Sequence, residues 1–211
     1  MNSTTLPAAA HMAEVTAELV NQAVANLCPG TTHEDTLVLI RHVAVIAAMR
    51  QVVGADTSPT PERLLLSGVA RPVVAPLGLP DGLGYGEVKN CYGNSVTIAL
   101  TDDEQRYTYT EGYAYRQGVI PVQHAWLTDR DGSVYDPTWK PRDDSNEAVY
   151  LGIRFSHTFM LDWLKRTNYF PAVLASDHPA LGDLLDNGLV YSMLGAATSI
   201  RTSPPPDGLT L

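Results

Sequence analysis

Cysteine is scarce in this chain of 211 residues: Cys28 and Cys91 are the only two. Two cysteines cannot build a disulfide framework. One Cys28–Cys91 bridge is open to them, but such usage fits a reducing compartment better. Positive charge is scarce as well, with 14 Lys and Arg against 23 Asp and Glu and a formal net charge of −9. A nucleic-acid binder needs a basic face to neutralise phosphates, and docking on an anionic membrane surface needs the same, so neither partner is expected. No run of eighteen apolar residues is present, so no membrane-spanning segment is expected. Met1 to Ala10 lacks a basic stretch followed by an apolar core, the pattern of a signal peptide. These absences make cytoplasmic the expected location.

What is present is ordinary for a globular protein, with 45% hydrophobic and 18% charged residues. The length supports one good core and a small helical addition. The expected organisation is a disordered N-terminus over residues 1–11, a helical hairpin over 12–56, a core over 57–199 and a flexible tail over 200–211. Val15, Leu19, Ala23 and Leu27 recur at helical steps, and Pro29-Gly30 stops that helix. A second helix is expected from Thr32 as N-cap, with Glu34 and Asp35 in its first turn, to about Val53. Residues 70–86 hold Pro72, Pro76, Pro80 and four glycines, which predicts an irregular loop.

Beyond that loop, a helix is expected over Cys91 to Leu100 with Asn90 as N-cap. Strands follow at Arg106–Tyr115, Ile120–Thr128, Val134–Thr138 and Ala148–Phe155, then helices at Thr158–Arg166 and His178–Asp186. Helices first and strands later predict an α+β fold. In it, an N-terminal helical hairpin precedes a nucleophile-bearing helix packed on an antiparallel sheet.

The chemistry-bearing residues lie between Asn90 and Trp139. A thiol attacks only as thiolate, which a helix N-terminus and a neighbouring imidazolium both favour. Cys91 opens a predicted helix. His124 shares a strand face with Val122 and Trp126, and the turn near residue 130 brings Asp136 beside it, within a residue or two. A carboxylate there fixes the imidazole tautomer and stabilises its charged form. Taken singly, Cys91 is a small buried hydrophobe, His124 a structural histidine and Asp136 the start of a turn; taken together they form a triad. Asn94, one turn after Cys91, is a candidate oxyanion donor beside the backbone N–H of Cys91. Trp126, Trp139 and Tyr113 are candidates to line the substrate cleft. Cys91, His124 and Asp136 are also zinc-ligand types, but no Cys-x-x-Cys or His-x-x-x-His spacing accompanies them, so no metal or cofactor is expected.

The order Asn-Cys-Tyr (90–92), His-Ala-Trp (124–126) and Asp-Pro-Thr (136–138) resembles the transglutaminase-like branch of the papain-like cysteine-enzyme superfamily. The resemblance covers residues 90–139, about a quarter of the chain. It implies a papain-like/transglutaminase-like core with Cys91 as nucleophile, His124 as base and Asp136 as orienting carboxylate. Glu111-Gly112-Tyr113 is similar to the family's Gly-Tyr strand, and Gly118 to Val122 to its Gly-Ile-Pro element, although the two stand here in reverse order. The family's Gly-x-Cys flank is replaced by Asn90-Cys91. The implied activity is attack on an amide or acyl bond through a thioester, ending in hydrolysis as by a protease, amidase or deamidase. The implied substrate is a peptide, a protein or a small amide. Acyl or glutamyl transfer to an amine is the alternative, and a non-catalytic binding or assembly module that kept the fold is a third.

Overall fold

The computed structural model describes residues 8–28, 33–54, 59–142 and 147–195. Helix α1 (Ala8–Leu27) buries Val15, Leu19, Ala23 and Leu27, the stripe expected from the four-residue spacing. It begins four residues before Met12. Ala8, Ala9 and Ala10 are strong helix formers, and they extend the helix into a stretch expected to be disordered. The Pro29-Gly30 stop and the Thr32 cap fall outside the described residues. Helix α2 (Glu34–Gly54) packs against α1, as expected of a hairpin, and buries Leu39, Ile40, Val43, Ala44, Ala47 and Ala48. Residues 34–53 of α2 are long and apolar enough to cross a bilayer, with a mean hydropathy of 1.6. The core helix of a soluble protein has the same composition, so this property leaves location open.

Helix α3 (Pro61–Leu64) starts with Thr60, whose Oγ1 accepts from Arg63 N at 3.3 Å, and it has proline at the first turn. A π-turn over Leu65–Val69 follows and ends through Gly68 at φ 102°. Strand β1 (Arg71–Pro76) then corrects the expectation of a loop from residue 70. It pairs antiparallel with β5 (Glu147–Phe155) from Arg71↔Gly152 to Pro76↔Glu147. Two prolines are tolerated because β1 lies at the end of the sheet and has a partner on one side only.

Helix α4 (Cys91–Thr101) follows the irregular segment 77–90. Next come β2 (Tyr107–Tyr115), β3 (Val122–Asp129) and β4 (Val134–Tyr135); after β5 come α5 (His157–Arg166) and α6 (Pro179–Asn187). Ser156 caps α5 by accepting from Phe159 N at 3.2 Å. The strand order is β1-β5-β2-β3-β4, a mixed helix-and-sheet architecture with an antiparallel sheet. Central β2 is buried on both faces. At Gly112 an added Cβ would overlap the carbonyl of Leu151, so only glycine fits there.

The chain gathers into two compact units interleaved in sequence rather than a hairpin followed by a core. One holds the described residues up to Pro76 with Gly112–Gln123 and Pro141–Ile153. The other holds Leu77–Glu111, His124–Lys140 and the described residues from Arg154 onward. Within the first unit, Tyr113 donates its hydroxyl to the buried Glu62 Oε1 at 3.0 Å, with Arg50 Nε 3.4 Å from the other carboxylate oxygen. His42 meets Tyr113 edge-on at 6.2 Å.

Candidate active site

All three triad candidates belong to the second unit. Cys91 is the first residue of α4, on the face that also buries Ser95, Val96 and Ala99, and it keeps 8% of its surface exposed. Asn90 occupies the cap position, but its side chain makes no cap hydrogen bond; its Nδ2 instead donates to Glu87 Oε2 at 3.4 Å. The first N–H groups of a helix have no acceptor within it, so α4 points partial positive charge at its own first residue.

The hairpin of β3 and β4 pairs Leu127 with Tyr135 and Thr128 with Val134. Continuing that register by one places residue 136 opposite 126, so Asp136 reaches His124 diagonally. Strand β4 is only two residues long and stops before Asp136 rather than running to Thr138. The reason is local. Asp136 Oδ1 accepts from the N–H groups of Thr138 at 2.8 Å and Trp139 at 3.0 Å, which turns the chain at Pro137. Asp136 Oδ2 remains for His124 Nε2, 2.7 Å away. Asp136 thus both turns the chain and meets the ring, through different oxygens.

With Nε2 committed to Asp136, His124 also feels the Cys91 side chain, which adds to the rise of its pKa. Burial alone would pull the imidazole pKa down. The Asp136 charge and hydrogen bond, with a smaller contribution from Cys91, outweigh burial and raise it to about 9. The ring is thus an imidazolium at neutral pH. Trp139 stacks on it at 4.5 Å and 26°, and Trp126 lies near-parallel at 6.4 Å, so both tryptophans pack beside the pair.

Two expected site residues take other roles. Asn94 Nδ2 donates to Glu87 O at 2.8 Å and Thr138 Oγ1 at 2.9 Å, while its Oδ1 accepts from Glu87 N at 3.2 Å. Both amide hydrogens are used, so Asn94 is corrected from oxyanion donor to staple. Tyr113, in the first unit, commits its hydroxyl to Glu62 Oε1 at 3.0 Å. At the rim, Lys140 sits 5.4 Å over the ring of Tyr85, whose phenol is raised by burial and then by the charge of Asp136. Among the described residues, no three His, Cys, Asp or Glu side chains converge as a metal site. A separate cavity at the far end of α4, lined by Ala99, Tyr107, Phe155 and His157, does not include the triad.

Sequence reasoning missed the role of Glu111. It is fully buried and accepts from Tyr109 Oη at 2.8 Å, Val173 N at 2.7 Å and Ala175 N at 2.7 Å. The available signal was an acidic side chain in an otherwise aromatic and threonine-rich strand. Burial raises its pKa to about 7, against the lowering effect of those hydrogen bonds. A carboxyl raised on folding stabilises the protein below its unfolded pKa, and that contribution is lost as pH rises through the folded value. Unfolding free energy is therefore expected to fall by on the order of 3 kcal/mol between pH 4.5 and 7. His124, raised from 6.5 to about 9, adds a second decline between those two values. Urea titrations at pH 5 and pH 7 check the first, which Glu111→Gln should flatten.

A scan against family models finds no match, and searches of curated proteins and solved structures return no similar chain.

Proposed function

We propose that this protein is a cysteine-dependent hydrolase that cleaves an amide or related acyl bond through a thioester intermediate, on a papain-like/transglutaminase-like arrangement. One observation carries the reading: the buried His124 is held by Asp136 at 2.7 Å, and its pKa is raised in smaller part by the side chain of Cys91, the first residue of α4. A protonated imidazole beside a sulfur favours thiolate over thiol. The thiolate attacks the substrate carbonyl, forming the C–S bond and a tetrahedral oxyanion that the N–H of Cys91 can receive. The imidazolium gives its proton to the leaving nitrogen as the C–N bond breaks. The neutral ring then takes a proton from water, which attacks the thioester and releases acid and thiolate. Asp136 keeps its charge throughout and holds the ring's orientation.

Cys28 supplies an internal comparison, because it is more exposed than Cys91 and has no such partner in the triad. Accessibility alone would make Cys28 the faster thiol. The proposal expects iodoacetamide at pH 7 to modify Cys91 at least about 10-fold faster than Cys28, consistent with an activated thiolate. Peptide mass mapping of wild type and Cys91→Ala reads the two rates. A Cys91 no faster than Cys28 would overturn the reading.

A further inference from the structure

The staple at Asn94 closes a ring of contacts through the triad. From Cys91, helix α4 carries the chain one turn to Asn94, whose Nδ2 donates to Thr138 Oγ1 at 2.9 Å. Thr138 donates its own N–H to Asp136 Oδ1 at 2.8 Å, Asp136 holds His124 at 2.7 Å, and His124 returns to Cys91. A branch from the same amide pins the segment before the nucleophile. Asn94 exchanges two hydrogen bonds with the backbone of Glu87, and Gly86 N donates to Pro137 O at 2.8 Å. Gly86 has no room for a side chain, because a Cβ there would collide with the Asn94 amide.

We propose that Asn94 is a positioning residue of the active site, setting the placement of the Cys91 sulfur against the His124 ring by tying α4 to the 136–139 turn and to the Gly86–Glu87 segment. The inference rests on the hydrolase reading. Sulfur and imidazole come from different elements, a helix and a strand, so their placement depends on how α4 is held relative to the hairpin. Asn94 is an α4 side chain hydrogen-bonded to the turn that carries the carboxylate. An amide suits the task, since it donates twice and accepts once in one plane. Serine or alanine at position 94 could not span all three partners.

The test follows the alkylation of Cys91 relative to Cys28 across pH 5–10 in the full chain, with thermal unfolding measured alongside. Asn94→Ala is expected to reduce Cys91 alkylation at pH 7 about 10-fold and to move its pH profile towards that of Cys28, a readout that a purely structural role would not move. Thr138→Val, which removes one arm of the staple, gives a smaller loss of about 3-fold, and the double variant is no worse than Asn94→Ala because the arms belong to one network. Gly86→Ala crowds the amide from the other side and reproduces the profile shift if Asn94→Ala folds poorly. Unchanged Cys91 reactivity in Asn94→Ala and Gly86→Ala, with wild-type Cys91 still dependent on His124, overturns the positioning role and leaves the hydrolase reading standing. A wild-type Cys91 no faster than Cys28 overturns both.

Discussion

His124→Ala is expected to slow the iodoacetamide reaction of Cys91 at pH 7 by roughly 100-fold and to remove turnover. The size follows from what the ring supplies. Its pKa of about 9, raised by Asp136 and in smaller part by Cys91, makes it a cation at neutral pH. Alanine removes the charge, the hydrogen bond and the proton donor for the leaving group together. It also takes the cationic ring away from Asp136 Oδ2, in a carboxylate that is 4% exposed. In wild type, hydrolysis should fall as pH rises through about 9, where the ring loses the proton needed by the leaving nitrogen. Stopped-flow alkylation and a pH–rate profile check both parts. Retention of fast, selective Cys91 labelling in His124→Ala would separate the base from the nucleophile.

Asp136→Asn should be nearly as damaging, at roughly ten-thousand-fold in turnover, the order found when the orienting carboxylate of a triad is neutralised. The substitution preserves shape. Its carbonyl can still accept from Thr138 N and Trp139 N, and the turn at Pro137 survives. The other end then presents an N–H to Nε2 instead of an acceptor, which selects the wrong tautomer. It also removes the charge that outweighs burial at His124. Burial then acts with little opposition, so the ring pKa should drop from about 9 to below its ordinary 6.5, inverting its charge at neutral pH. NMR titration of the imidazole reads this directly, and a ring still titrating near 9 would contradict it.

These expectations rest on the part of the chain that was most legible in its residues. The His124–Asp136 pair follows from strand alternation and a four-residue turn, both local, and the register differs from the expected one by only about two positions. Cys91 at a helix start was equally local. The contacts that escaped join residues far apart in sequence. Glu111 finds its partners 62 and 64 positions on, and Tyr113 meets Glu62 across 51 positions. Asn94 looked free because its partners lie in an irregular segment on one side and a turn 44 residues away on the other. Strand β1 escaped for another reason: proline marks a break unless the strand has a vacant side, and vacancy belongs to topology rather than to composition.

That vacancy limits how the sheet can meet an extended chain. Its two outermost strands are β1, in which Pro72 and Pro76 lack N–H groups, and β4, which is two residues long. Neither offers the continuous row of donors and acceptors on which a further strand, or a second sheet, would zip up. On the proposed hydrolase reading, a polypeptide substrate is expected to be held by side chains and loop backbone rather than by augmentation of the ladder, and the same bluntness disfavours self-association through the sheet edges.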